Sequence, residues 1–312
     1  MRKRMGNRWA AAAVPFLLVG LGWGSASAQE VPYDPAIDVQ LFDLAPGPRS
    51  FMSVADGEVS TKGQLTMDFM MTFLTDPFVI YNVDEQQEEI ISKRTDVVSS
   101  VFAGQLVSAY GLMDDLQLSV SLPLVFSMSG EGLDPNTGLM SDQGLQASGF
   151  GDLRIEAKGR IFRSKSMGAA WFGGASVPTS FGVGGNDYLG DDLPYMRLGA
   201  SAHWQDPAGK LRVGANVGGI FRKPRQIYAT EVGQQLTYGA AASFAATPDF
   251  ALIAETFGRS AMTSIDLNSS PLEVAGGVRA KVTNSTFILA GGGAGLVQGI
   301  GSPGLRFLVS VG

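Results

Sequence analysis

Asp152-Leu153-Arg154-Ile155-Glu156-Ala157-Lys158-Gly159-Arg160-Ile161-Phe162 alternates charged residues with apolar residues or glycine. Because successive side chains of a β-strand point to opposite faces, one face of this stretch would carry five charges of both signs and the other would be apolar. A helix would scatter the same charges around its surface. Taken alone, the stretch is equally typical of the solvent face of a soluble antiparallel sheet and of the inner face of a membrane β-barrel.

The same alternation recurs along the chain from about residue 64 onward. In residues 116–127, for example, large apolar residues alternate with glutamine and serine. Counting the alternating segments predicts about twelve strands. These segments cover approximately residues 64–73, 96–110, 116–127, 152–162, 169–179, 194–204, 211–222, 235–246, 250–261, 272–283, 286–298 and 305–311.

The connections between these segments alternate in length. Long connections are predicted near residues 75–94, 129–151, 180–193 and 262–270, and short turns follow the intervening strands. Outer-membrane barrels sort their connections in this way, whereas a soluble sandwich has no reason to do so. We therefore predict an all-β fold, a transmembrane up-and-down antiparallel β-barrel of about twelve strands, in the outer membrane of a Gram-negative bacterium.

The N-terminus carries an export signal. Four basic residues among the first eight precede an apolar run that ends in the small residues Ala26-Ser27-Ala28, which predicts a secretory signal peptide at residues 1–28. Residues 29–62 are irregular and contain several prolines, and we expect them to form an extended periplasmic leader before a barrel at residues 63–312. The chain has no cysteine, so disulfides, thiolate metal sites and lipoprotein acylation are excluded.

The strand register assigns a set of charged side chains to the barrel lumen, with ten basic residues facing five acidic ones. The lumen-lining charges predicted in this way are Asp68, Asp152, Arg154, Glu156, Lys158, Arg160, Arg197, Arg212, Arg222, Glu255, Arg259, Glu273, Arg279, Lys281 and Arg306. Basic rings bias a pore toward anions, so this face is consistent with a narrow, weakly anion-preferring channel. The same charges would also fill a narrow barrel with salt bridges, and the sequence leaves both alternatives open.

Catalysis and nucleic-acid binding find little support in the sequence. The single histidine, His203, lacks the His-x-Ser spacing of outer-membrane phospholipases, and a serine–histidine mechanism needs its base within reach of a nucleophile. We therefore predict no enzymatic activity. A net charge of −6 provides no basic surface for nucleic acid. Acidic loops at residues 84–89 and at Asp187, Asp191 and Asp192 could bind calcium, but solvated loop charge is the simpler explanation, so no metal and no cofactor is predicted.

Several short motifs occur in a fixed order along the chain. They are Phe42-Asp43-Leu44-Ala45-Pro46-Gly47-Pro48-Arg49, Leu122-Pro123-Leu124, Gly151-Asp152-Leu153-Arg154 with Lys158, Val177-Pro178-Thr179 and Ile300-Gly301-Ser302-Pro303-Gly304-Leu305-Arg306. Over residues 38–312 this ordered set resembles the N-terminal barrel of myxobacterial OmpA-family outer-membrane proteins, the TraB-like group, and implies a barrel with a role in outer-membrane exchange between cells. Such proteins usually continue into a peptidoglycan-binding OmpA domain; because this chain ends at Gly312, just after the last predicted strand, the resemblance does not imply peptidoglycan binding.

Two functions from different classes follow from these observations. The first is a narrow channel or transporter for small hydrophilic solutes with a charged lumen. The second is a structural or cell-surface interaction barrel, of the outer-membrane exchange or adhesion type, whose lumen is closed by salt bridges. The expected partners are outer-membrane lipid and lipopolysaccharide, together with a surface protein in the second case.

Overall fold

A computed structural model of the chain describes residues 34–84, 89–134, 141–183, 187–227, 230–263 and 270–312. Within these ranges the regular secondary structure consists of β-strands. No helix in this described part is long and apolar enough to cross a membrane. The predicted signal peptide at residues 1–28 lies outside the described residues.

Sixteen strands form in the described part of the chain. In order they are β1 Leu65–Asp84, β2 Glu89–Met113, β3 Leu116–Gly130, β4 Leu145–Phe150, β5 Leu153–Arg163, β6 Met167–Val177, β7 Phe181–Val183, β8 Tyr195–Gln205, β9 Leu211–Phe221, β10 Arg225–Ile227, β11 Thr230–Val232, β12 Gln235–Ala245, β13 Phe250–Ala261, β14 Leu272–Lys281, β15 Phe287–Val297 and β16 Leu305–Val311.

Twelve of these strands close into one antiparallel barrel, which confirms the predicted fold class and strand number. The ring runs β1-β2-β3-β5-β6-β8-β9-β12-β13-β14-β15-β16, and β16 returns to β1 with Phe69 opposite Val311 and Thr75 opposite Leu305. Closure pairs the backbone groups of every wall strand without an exposed sheet edge, which is the condition for crossing lipid with strands. The short β4 pairs with the second half of β3, and β7 pairs with β4. Strands β10 and β11 form a separate hairpin.

The two ends of the barrel differ in the length of their connections. At one end, here called the turn end, adjacent wall strands are joined by residues 114–115, 164–166, 206–210, 246–249 and 282–286. The opposite end, the loop end, carries the longer connections, including the β10–β11 hairpin. Gly209 adopts a φ of 72° within one of the tight turns, a conformation that glycine takes without the steric cost of a Cβ.

Side-chain direction follows the predicted alternation. Along β16, the apolar residues Leu305, Phe307, Val309 and Val311 are 47–58% exposed on the outer surface, whereas the intervening Arg306, Leu308 and Ser310 are at most 5% exposed. An outer apolar band with polar side chains directed inward is the arrangement of strands that face lipid on one side and a lumen on the other.

The wall extends further at the loop end than the sequence predicted. Residues 75–94 were expected to form a long loop, but β1 continues to Asp84 and β2 begins at Glu89. The prediction was wrong because Pro77 and several register shifts between Thr75 and Val83 interrupt the alternation without ending the strand pairing. The connections predicted at 129–151 and 180–193 likewise contain β4 and β7.

Candidate functional site

Residues 34–62, which we call the plug segment, lie inside the barrel. Asp34 N–H donates to the Gln226 carbonyl in the hairpin at the loop end, and Gly63 N–H, just after the segment, donates to the Gly111 carbonyl at the turn end. The plug segment therefore runs the length of the lumen and turns into β1 at Gly63, whose φ is 79°. These residues do not form the periplasmic leader that the sequence predicted, because all but the last two, Thr61 and Lys62, are buried or partly buried inside the ring.

Apolar side chains hold the plug segment at the loop end. Ile37 and Val39 are at most 1% exposed and belong to one buried cluster with Val101 and Met128 of the wall and Tyr188 of a loop. Full burial of an aliphatic side chain contributes about 1.5–3 kcal/mol. The cluster closes the loop end of the lumen with an apolar layer.

Glu255 on β13 fixes the middle of the plug segment. Its buried carboxylate accepts hydrogen bonds from the backbone N–H groups of Met52, Ser53 and Val54, the last two at 2.8 and 3.3 Å, and from the Ser53 hydroxyl at 2.8 Å. Hydrogen bonds to an ionised acceptor are roughly twice as strong as neutral ones. One wall carboxylate thus satisfies three successive backbone donors of a segment that forms no strand.

Two wall glutamines bind the plug backbone in the same manner. Gln105 accepts from the Leu44 N–H at 2.8 Å, and Gln117 accepts from the Ser60 N–H at 2.9 Å while donating to the Pro46 carbonyl at 3.3 Å. Both glutamines are at most 4% exposed. The sequence does not predict this role, because a neutral amide on a strand has no distinctive pattern until its partner segment is known.

Asp43 of the plug segment forms the most highly charged contact with the wall. Its Oδ2 accepts hydrogen bonds from Arg154 on β5 and from Arg197 on β8, the second at 3.0 Å. Burial alone would raise the pKa of Asp43, but the two guanidinium groups outweigh burial and hold its pKa below the usual range. Arg259 on β13 donates to the plug backbone at the Gln40 carbonyl, 3.1 Å away.

Asp56 makes a second charged contact closer to the turn end. His203 Nδ1 lies 2.7 Å and an Arg212 nitrogen 3.1 Å from Asp56 Oδ1. Burial opposes ionisation of Asp56, but His203 and Arg212 together lower its pKa to about 2. Glu58 adds contacts with Arg160 at 3.6 Å and with His203 at 3.8 Å. His203, for which the sequence predicted no catalytic role, therefore contacts the plug segment.

The predicted lumen-lining residues fall into three groups. Those that contact the plug segment are Asp68 (through Arg49, 2.6 Å), Arg154, Arg160, Arg197, Arg212, Glu255 and Arg259. Those that complete the same inner face are Glu156 and Lys158 near Asp43 and Asp56, Arg279 and Lys281 toward the turn end, and the fully buried pair Glu273–Arg306. Within this pair, the Arg306 guanidinium also lies over the ring of Phe42 in the plug segment, 5.1 Å from its centroid. The third group is Asp152 and Arg222.

Asp152 and Arg222 serve the loops at the loop end. The Asp152 carboxylate, at the break between β4 and β5, accepts from the backbone N–H of Asp191 at 2.7 Å and of Ser180 at 3.2 Å. Arg222 pairs with Asp191 at 3.2 Å. The sequence predicted Asp152 as a lumen-lining charge, and the structure instead gives it loop backbone donors because the strand is interrupted there.

The plug segment also changes the charge balance of the lumen. The wall residues alone carry the predicted excess of bases, but residues 34–62 supply Asp34, Asp38, Asp43, Asp56 and Glu58 against Arg49 and Lys62. Most of these acids pair with basic side chains of the wall or of the loop end. The plug segment therefore offsets part of the basic excess from inside.

Several spaces lie beside the plug segment in the described part of the lumen, and one of them, a pocket of about 310 Å³ at the turn end, is bounded by residues 47–50 of the plug and by Arg279 and Phe287 of the wall. The spaces farther inside are smaller. A cavity of about 70 Å³ and another of about 50 Å³ share the lining residues Asp43, Ser53, Arg197 and Asn216. A third, of about 30 Å³, lies beside Arg49 near the turn end. Each holds a few water molecules at most, since one water needs about 10–15 Å³. In this conformation the plug segment occupies the middle of the described lumen.

The closed twelve-strand ring, its outer apolar band and its charged interior define an outer-membrane β-barrel fold. Barrels of this fold generally direct their short turns to the periplasm and their longer loops to the exterior. The chain is similar to a crystallised outer membrane channel from Pseudomonas putida F1, at 14% identity and a TM-score of 0.59 over 81% of this chain and 96% of that one. It is less similar to the NanC porin, at 9% identity and a TM-score of 0.49 over 79% and 98% of the two chains. The first likeness supports the fold alone. No protein-family model and no curated protein matches the sequence.

Proposed function

We propose that the protein is an outer-membrane channel for small hydrophilic solutes whose pore is closed by its own plug segment. The observation that carries this proposal is the way the plug is held. It forms no strand with the wall, and its mid-section is fastened by single carboxylates and glutamines, such as Glu255 and Gln105. Contacts of this kind can exchange with water one at a time.

The size of the barrel supports the same proposal. About eight strands are just filled by side chains and sixteen leave an aqueous channel, so a twelve-strand wall with inward charges has room for more than its own side chains. Here residues 34–62 take that room. Displacing the middle of the segment would join the cavities of about 70 and 50 Å³ into a path lined by Arg197 and Asn216.

Conductance in planar bilayers tests the channel proposal. The full-length protein should be closed with rare openings, and Asp43→Asn with Asp56→Asn should open far more often, because the two charged contacts made by Asp43 and Asp56 are weakened. Heat-modifiable gel mobility verifies that each variant is a folded barrel. If the folded double variant carries no current, the channel proposal is contradicted.

A structural or surface-interaction barrel is the second candidate, favoured by the apolar cluster that closes the loop end around Ile37 and Val39. Such a protein would remain closed in every variant and would bind a surface partner through its loops. Deleting residues 131–144 of the connection after β3 and repeating a pull-down from surface fractions tests it. Unchanged binding together with measurable current would exclude this alternative.

A further inference from the structure

The strongest unassigned site is the pair of arginines around Asp43. Arg154 and Arg197 project from β5 and β8, two wall strands, while Asp43 belongs to the plug segment. Both guanidinium groups contact one carboxylate oxygen, and all three side chains are 11–25% exposed to the adjoining cavities. The negative charge at this point is therefore supplied by the part of the chain that must move for the pore to open.

The wall alone cannot neutralise these arginines. Glu156 is the acidic wall residue that shares their cavity, and Arg259 adds a further positive charge across the neighbouring one. If Asp43 leaves, the remaining wall charges at this level are Arg154, Arg197 and Arg259 against Glu156. A partly desolvated guanidinium cluster with too few acids attracts an anion.

The side chain that now occupies the site points to a carboxylate as the anion. A guanidinium group presents a planar set of donors that matches a carboxylate, and the present occupant is itself a carboxylate. Hydroxyl and amide groups of Ser119, Ser121 and Asn216 line the cavity of about 70 Å³ beside it. This cavity accommodates the polar body of a small organic acid.

We propose that Arg154 and Arg197 form a binding subsite for small organic carboxylates and that Asp43 occupies this subsite as a tethered competitor in the closed state. The inference rests on the channel function proposed above and names its substrate class. It also links transport to opening, since an anion that binds the two arginines removes the partner that holds Asp43 in place. The solute thereby favours the open conformation by differential binding.

Chemical rescue of the full-length Asp43→Ala variant tests the subsite without requiring a current. Formate replaces the atoms that this substitution removes. Sodium formate should raise the melting temperature of Asp43→Ala by a few degrees relative to sodium chloride at equal ionic strength. It should leave the wild type unchanged, and Asp43→Ala with Arg154→Gln and Arg197→Gln should lose the response. An equal response of all three proteins would overturn the subsite.

A second measurement tests the subsite even if the Asp43→Ala variant fails to fold. In the Glu255→Gln background, where Asp43 is retained, the reversal potential in a potassium acetate gradient reports acetate over potassium permeability. Adding Arg197→Gln should lower that ratio by about tenfold, the loss of one charge-assisted contact. An unchanged ratio would refute the subsite while leaving the channel itself intact; no current at all would refute the channel and, with it, the substrate class that rests on it.

Discussion

Replacing Glu255 by glutamine should release the plug segment while leaving the wall in place. Glu255 accepts from three backbone N–H groups and one hydroxyl of the plug, and its own strand pairs with β12 and β14 through backbone bonds that the substitution does not touch. The amide keeps one acceptor oxygen but turns an NH2 group toward donors. The charge-assisted part of the remaining bonds is also lost.

The expected magnitude is about 3 kcal/mol. A hydrogen bond to a charged group contributes about 1.5–3 kcal/mol against about 1 kcal/mol for a neutral one, and a buried donor left without an acceptor costs a further 1–3 kcal/mol. At about 1.4 kcal/mol for each factor of ten, the open fraction should rise by about 100-fold.

The assay is thiol accessibility. Because the chain has no cysteine, Ala55→Cys in the plug segment gives a single reactive position beside the cavity at Asp43. Its labelling rate by a soluble maleimide should rise about 100-fold with Glu255→Gln. The control variant is Asp249→Asn, which removes one negative charge from an exposed turn. Equal labelling rates for Ala55→Cys alone and for Ala55→Cys with Glu255→Gln would refute the view that this carboxylate holds the plug.

Three further predictions concern the path, the wall and the pH dependence. On intact cells an impermeant maleimide should label Ala36→Cys but not Lys62→Cys, since the plug runs from the loop end to the turn end; the opposite pattern would reverse the orientation. Glu273→Ala should lower barrel stability by about 3–5 kcal/mol, measured by urea unfolding, because it leaves Arg306 buried and unpaired, and a change below 1 kcal/mol would contradict the account. The pKa of Asp56 is lowered from its ordinary value of 3.8 to about 2 when the plug is docked, so ionised Asp56 stabilises the docked plug above pH 3.8. This contribution of about 2 kcal/mol is lost as the pH falls toward 2. Thiol labelling of the plug should therefore increase over that pH range, and should increase by less in Asp56→Asn.

The barrel could be predicted from the sequence because two different solvents act on its strands. Lipid outside and charge inside impose a period of two, and the run from Asp152 to Phe162 shows it directly. The same reasoning failed at Pro77, where bulges interrupt the period although the strand continues. The alternation of apolar and polar residues therefore predicted the strands of the barrel wall, but it placed several strand ends incorrectly.

The plug segment could not be derived from periodicity, because it is an irregular chain that takes its shape from the wall. Two features of the sequence nevertheless pointed to it. Ile37, Val39 and Leu41 alternate with polar residues in a segment expected to be solvated, and all three are buried. The excess of basic residues on the wall also needed acidic partners, which Asp43 and Asp56 supply.

A reversible cross-link tests the central claim, that a displaceable plug segment closes the pore. Val54 of the plug packs against Ala241 of β12, and cysteines at these two positions would be the only ones in the chain. In the Glu255→Gln background, planar bilayers containing the protein with its two thiols joined, as verified by mass spectrometry, should carry no current. Reduction should start single-channel openings within the same recording. Current that is equal before and after reduction, or absent from both, would contradict the account.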